Sequence, residues 1–385
     1  MVKPAYKPDI RYNYYNSPYR YTTNVRPAQK KFFKPKQKKK NPFAGLAQLI
    51  IACLLFAYII PFYMDTITRP LFLRAQKYKS ITVDYNELYS PTSHYLSNSH
   101  FLGVNLLKGV ETKNPAMQNL YETYNMAALE SRLNGLAAAY PMLQPSVYVW
   151  DYESGKYANI NAEKTYSAAS IIKLPILLHL FKAIESGQLN LTDTIQMTDY
   201  YKSEGSGSLQ FKGDHTVYSI DNLARVMITE SDNSATNMIM SATGGMNSVN
   251  NSLRQWGIKN TRVNDWLPDL AGTNITTAKE LARMLFNVDN SKFLSLNSRE
   301  KIVDYMSHVH NNRLIQAGLP ANAILMHKTG DIGKMLGDAG IVYTPSGKKY
   351  IVVMLVNRPY NSVAGKDFIV SASSIIYNYM QAAAF

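Results

Sequence analysis

Ser170-Ile-Ile-Lys173 places a hydroxyl and an amine three residues apart inside a strongly apolar stretch. Small residues lead in from Ser167 to Ala169, and Leu174, Ile176, Leu177, Leu178, Leu180 and Phe181 follow. Such a pattern reads as a helix buried all round, with Ser170 in its first turn, where free N–H groups and the positive dipole end face an anion. Residues three apart share a helix face, so the Lys173 stem lies beside the hydroxyl. Desolvation pushes a lysine in such a place toward its neutral form, and a neutral amine beside a hydroxyl is a general base beside a nucleophile. The spacing alone is weak, since Ser298-Arg-Glu-Lys301 and Ser346-Gly-Lys-Lys349 share it. The first of these reads as a charged helix face, the second as a hairpin turn.

Two further stretches suit an acyl-transfer site. Ser231-Asp232-Asn233 interrupts an apolar pattern running from Leu223 through Ile228 to Met238 and Ile239. Polar residues flanked by core point to a cavity, and a helix N-cap would account for Ser231 and Asp232 at the same time. Asn233 and Asn237 are four apart and share a face. Lys328-Thr329-Gly330 closes an apolar strand, where alternation sends His327 and Lys328 to opposite faces. A cation with an adjacent hydroxyl at a sheet edge suits a substrate carboxylate, and Gly330 opens room for a ligand backbone.

Ser-x-x-Lys, Ser-Asp-Asn and Lys-Thr-Gly in that order are the signature of serine β-lactamases and penicillin-binding proteins. From about residue 120 to 385 the chain resembles the class A β-lactamase family through Ser170 and Lys173, Ser231 to Asn233 with Asn237, Lys328 to Gly330, and Gly205-Ser-Gly-Ser-Leu-Gln210. The resemblance implies catalysis by Ser170, Lys173 and Ser231: attack by Ser170, proton removal by Lys173, and proton delivery to the leaving nitrogen by Ser231. It further implies an oxyanion site from the N–H groups of Ser170 and Asp331, and substrate binding by Asn233, Lys328, Thr329 and Gly330. No metal and no cofactor belong to this chemistry. The implied substrates are β-lactams or peptides ending in D-Ala-D-Ala.

One segment departs from the family pattern. Class A enzymes carry a Trp-Glu-Pro-Glu-Leu-Asn-like loop whose first Glu and Asn hold the deacylating water. Here it reads Trp266-Leu267-Pro268-Asp269-Leu270-Ala271, with no Glu between Glu230 and Glu280. A positioned base contributes about 10²–10⁴-fold, so slow deacylation is expected. Asp269 is a substitute candidate two places along. Asp331 stands where the family has a small neutral residue and would repel an incoming carboxylate. Three readings follow: a β-lactam hydrolase, a D,D-peptidase on peptidoglycan, and a non-catalytic sensor of cell-wall peptides or β-lactams.

These residues need a scaffold and an address. Of the net charge of +14, residues 1–42 hold +11, from nine Lys, three Arg and one Asp. The charge therefore belongs to a tail with too few aliphatics for a core, and no nucleic-acid partner is expected. Residues 43–63 are free of charge and long enough to span a bilayer, with lysines before them that hold the N-terminus inside. A cleavable signal peptide fits less well, because the leader is long and no small-x-small site follows Tyr63. A lipoprotein box at Ile50-Ile-Ala-Cys53 is countered by ten further apolar residues. Cys53 is the only cysteine, so no disulfide framework forms. The expected organisation is a basic cytoplasmic tail (1–42), one transmembrane helix (43–63), a stalk (64–113) and a catalytic domain (114–385) outside the cytoplasmic membrane. Helical spacing from Met126 to Tyr140, a hairpin over 147–160, helical patterns over 180–310, strands from 324 to 356 and a last helix predict an α+β fold. In it an antiparallel sheet built from both ends of the catalytic region is flanked by helices, with an all-helical subdomain inserted.

Overall fold

The computed structural model describes residues 117–382. The tail, the span and the stalk expected at 1–42, 43–63 and 64–113 lie outside the described residues. Among the described residues no helix is long and apolar enough to cross a membrane.

Helix α1 (Ala127–Ala138) buries Leu129 and Leu133. Strands β1 (Gln144–Asp151) and β2 (Tyr157–Ile160) form the expected hairpin, with Val147 opposite Ile160 and Trp150 opposite Tyr157. The two-residue strand β3 (Tyr166–Ser167) leads to a 3₁₀ turn, Ala169–Ile172, and then α2 (Lys173–Glu185). Helices α3 (Ile220–Thr229), α4 (Asn233–Ala242), α5 (Gly245–Gln255), α6 (Ala278–Val288) and α7 (Leu296–Ser307) make up the inserted region. Strands β4 (Thr194–Gln196) and β5 (Val217–Ser219) pair within it, and β6 (Ile275–Thr276) pairs with β3. The chain ends with β7 (Ile324–Asp331), β8 (Met335–Tyr343), β9 (Lys349–Asn357) and α8 (Ala364–Ala382).

The main sheet has the order β2-β1-β9-β8-β7, antiparallel throughout. The first hairpin and the last three strands thus share one sheet, as expected, and β7 is left at an edge. Period-two geometry divides each strand between two cores. Tyr148, Trp150, Ile351, Val353 and Leu355 pack with the inserted helices. Val147, Val149, Val352, Met354 and Val356 pack with α1 and α8 through Leu129, Leu133, Phe368, Ile369 and Ile376. With both faces covered, β1, β8 and β9 are buried nearly end to end rather than alternating between buried and exposed residues. Helix α2 runs through the first core. Ile176, Leu177, Leu178, Leu180 and Phe181 are all at most 1% exposed, each contributing about 1.5–3 kcal/mol.

Candidate active site

The nucleophile candidate sits in a tighter turn than the sequence suggests. Ser170 belongs to the 3₁₀ turn, and α2 starts only at Lys173. Three residues per turn still place positions i and i+3 one above the other. Lys173 Nζ accordingly lies 2.8 Å from Ser170 Oγ. Ala169, immediately before the serine, is held at φ 44°, a left-handed conformation that a side chain resists. Strain of this kind concentrates where a side chain must be aimed.

Lys173 is fully buried, and burial together with the neighbouring Lys328 charge holds its pKa well below the lysine range. Asp232 opposes that shift without overturning it. Asn233 Oδ1 accepts from Lys173 Nζ at 2.8 Å, and Ser231 Oγ lies 3.3 Å from the same nitrogen. Two N–H donors and one lone pair are what a neutral amine offers, and three oxygens surround this one.

The Ser231-Asp232-Asn233 triplet divides its work. Asp232 caps α4, accepting from Ala235 N at 2.8 Å, so the N-cap reading and the cavity reading hold together. Its other oxygen accepts from Leu209 N at 2.8 Å and pins the 203–210 loop. Gly207, at φ 97°, lies so close that an added Cβ would overlap the Asp232 carboxylate. Asn233 holds the same loop through Glu204 O at 2.8 Å and Ser206 O at 3.0 Å. Ser231, at φ 59°, is left to face the cavity between two lysines.

Lys328 closes the arrangement, its Nζ 3.0 Å from Ser231 Oγ and 2.9 Å from Thr329 O. Burial lowers its pKa to about 7, against the pull of Asp338. His327 points to the opposite face and meets Asp338 at 2.8 Å. Thr329 Oγ1 is 3.5 Å from Asn311 Nδ2. Gly330 has a further reason beyond the one its position suggests. A Cβ there would come within 2.9 Å of Ile171 Cγ1 and 3.1 Å of Ile171 N, so the glycine also admits the chain's own 3₁₀ turn. The expected repulsion from Asp331 is corrected. Its carboxylate is paired with Arg358 at 2.6 Å and accepts from Gly333 N at 2.8 Å.

The 266–271 segment docks beside α4. Asn237, one turn beyond Asn233, donates to Leu267 O at 2.8 Å and accepts from Leu267 N at 3.1 Å, and Ser203 Oγ also donates to that carbonyl. Leu267 is buried. Asp269, the substitute candidate, is turned to its own loop. One oxygen accepts from Thr273 N (2.9 Å) and Thr273 Oγ1 (3.0 Å), the other from Asn274 N at 2.6 Å. Three of its acceptor sites are committed to folding the segment, which turns the carboxylate to its own loop.

A cavity of about 380 Å³ is lined by Ser170, Ser231, Lys328, Thr329, Gly330 and Asp331, with Glu230, His310 and Asn311 on its wall. The last three, and Arg358, had no distinguishing spacing in sequence. Register explains Arg358: Asp331 opposes Leu336 on β8, which opposes Val356 on β9. A larger cavity, about 700 Å³, runs between α2 and α7 and contains none of these residues. Of the other Ser-x-x-Lys matches, Ser298 and Lys301 lie on α7, with Lys301 bound to Asp221, and Ser346 lies in the β8–β9 turn. No cluster of three metal-ligating side chains occurs among the described residues.

A serine, two buried lysines and a second serine at the seam of a sheet lobe and a helical lobe define a serine hydrolase of the β-lactamase kind. Residues 128–380 match the family model described as the beta-lactamase enzyme family, and the chain belongs to that family. Among curated proteins it is 23% identical over 260 residues to a β-lactamase of Streptomyces fradiae, spanning 64% of this chain and 84% of that one. Among solved structures it is similar to PBP-A, at 35% identity and TM-score 0.66, with 69% of this chain and all of that one covered. A Leu-to-Glu variant of PBP-A, solved as an acyl-enzyme complex with penicillin G, gives 34% identity, TM-score 0.65 and coverage of 70% and 99%. A β-lactamase from Sphaerobacter thermophilus, at 22% identity and TM-score 0.61, shares the fold over 66% of this chain and 98% of its own.

Proposed function

We propose that the protein is a membrane-anchored acyl-transferring serine hydrolase that opens β-lactam amides through Ser170 and releases the product slowly. The observation that carries the acylation step is the contact of a buried Lys173 amine, its pKa depressed, with Ser170 Oγ at 2.8 Å. Ser170 Oγ attacks the carbonyl carbon, and its proton passes to Lys173 Nζ. The oxyanion rests on the N–H groups of Ser170 and Asp331, a pair in which one donor is worth about 10²–10³ in rate. The C–N bond then breaks as Ser231 gives its proton to the leaving nitrogen and recovers one from Lys173, 3.3 Å away. Lys328 and Thr329 hold the substrate carboxylate, and Asn233 the side-chain amide.

Slow release is supported by the buried Leu267 beside α4 and by the engagement of Asp269 within its own loop. The same chemistry serves a D,D-peptidase acting on D-Ala-D-Ala ends, and similarity to PBP-A favours it as the second reading. Anchoring rests on the uncharged run at 43–63 after a basic tail, which directs the catalytic domain outside the cytoplasmic membrane.

The test uses residues 64–385 with a fluorescent penicillin and a chromogenic cephalosporin, and Ser170→Ala as control. A Ser170-dependent adduct that outlasts the free drug by minutes is expected, with little turnover. Fast turnover would remove the slow-release reading, and absence of any Ser170-dependent adduct would remove acyl transfer altogether.

A further inference from the structure

The cavity has one wall that the proposed mechanism does not use. Glu230 directly precedes Ser231 and lines the cavity together with His310 and Asn311. Its Oε2 is oriented by Ser208 Oγ at 3.0 Å. Among the described residues no Lys, Arg or His nitrogen lies within 4 Å of the Glu230 carboxylate, whereas Asp331, also on the cavity lining, is paired with Arg358. Among the described residues Glu230 is therefore a cavity-lining residue whose carboxylate has no cation at close range.

Its position gives that charge a meaning. Under the proposed mechanism, on which this inference rests, Ser231 protonates the leaving nitrogen. Whatever is attached to that nitrogen then extends past Ser231 toward Glu230, His310 and Asn311. Lys328 and Thr329, on the same side, take its carboxylate. We infer that Glu230 selects substrates whose leaving portion carries a positive charge in addition to the carboxylate. An ammonium reaching that wall gains a partner held in place by Ser208, and an anionic substituent is repelled. His310 donates its backbone N–H to Thr229 O at 2.9 Å, so the backbone just before Glu230 is tied to the segment that carries His310 and Asn311. Arg313 is the competing cation on this rim, its Nε 3.2 Å from Asn311 Oδ1. It is exposed and turned to Asn311, and does not line the cavity.

Three cephalosporins test the idea because they share one aminothiazolyl-methoxyimino side chain and differ at C3. Cefepime carries a cation there, cefotaxime a neutral acetoxymethyl, and ceftriaxone an acidic heterocycle. Second-order acylation constants are measured for the wild-type chain and for Glu230→Gln. Intrinsic reactivity of each drug cancels in the comparison, and the ratio within one variant is independent of the fraction folded. The cefepime-to-ceftriaxone ratio is expected to fall about three- to tenfold in Glu230→Gln, the size of a single partly solvated charge pair. In the wild type the ratio should also shrink as sodium chloride is raised, with no such dependence in the variant. Equal ratios in both proteins, with Ser170 labelled normally, overturn the role of Glu230 and leave acyl transfer standing. A preference for ceftriaxone that disappears in Arg313→Gln overturns it in favour of the arginine. Failure of all three drugs to label Ser170 in the wild type would instead bring down the acyl-transfer reading.

Discussion

Two lysines share one serine in this site, and their different surroundings assign them different work. Burial and the charge of Lys328 push Lys173 well below the lysine range, while burial lowers Lys328 to about 7 against the pull of Asp338. Under the proposed mechanism the base, Lys173, must be neutral and the carboxylate anchor, Lys328, charged. Acylation should therefore rise as pH climbs through the low pKa of Lys173 and fall as Lys328 loses its proton above about 7. The second-order acylation constant reports the free enzyme, so its pH profile is expected to be bell-shaped. Lys328→Arg should carry the descending limb far to the alkaline side, because a guanidinium stays charged. A descending limb that does not move would show that Lys328 is not the titrating group.

Among the elements, the 266–271 segment is the one on which the proposed slow release rests. Its backbone is clamped by Asn237 and Ser203, so a longer side chain at 267 would be presented from a fixed frame. Leu267→Glu is expected to raise deacylation about 10²–10⁴-fold while leaving acylation within a few-fold, as read by single-turnover decay of a fluorescent adduct. It should also cost about 1–3 kcal/mol of stability, since a polar group replaces a buried leucine. An unchanged adduct lifetime would place the releasing water elsewhere. The 3₁₀ turn shows what pattern alone could not supply. Spacing gave the shared face of Ser170 and Lys173, but apolar periodicity does not distinguish a tight turn from the first turn of an α-helix. Gly330 was legible as a special position, and only packing revealed the close approach of Ile171.

At the scale of the whole molecule, charge segregates with position: residues 1–42 hold +11 and the remainder +3. Together with the uncharged run at 43–63, this predicts that the full-length chain sediments with membranes, is released by detergent and resists extraction by high salt. The chain from 64 onward should stay in the supernatant with unchanged acylation constants. Release of the full-length chain by salt alone would make the attachment electrostatic and contradict a spanning helix. The α+β architecture itself followed from strands at both ends of the region and helices between them, because two halves of one sheet can pair only if the chain returns.

The sequence by itself determined the sheet-and-helix plan, the family and the polar groups gathered at Ser170, because local periodicity and residue order encode which side chains share a face. It also marked Leu267 and Asp331 as departures. Only the tertiary structure decided what surrounds those departures: Arg358, 27 positions from Asp331 and just past β9, two strands over in the sheet, pairs with it, and Asp269, beside Leu267, binds within its own loop. The inferred role of Glu230 comes from the same level. Partnership between distant residues is set by strand register and helix packing, which bring together groups that no spacing along the chain relates.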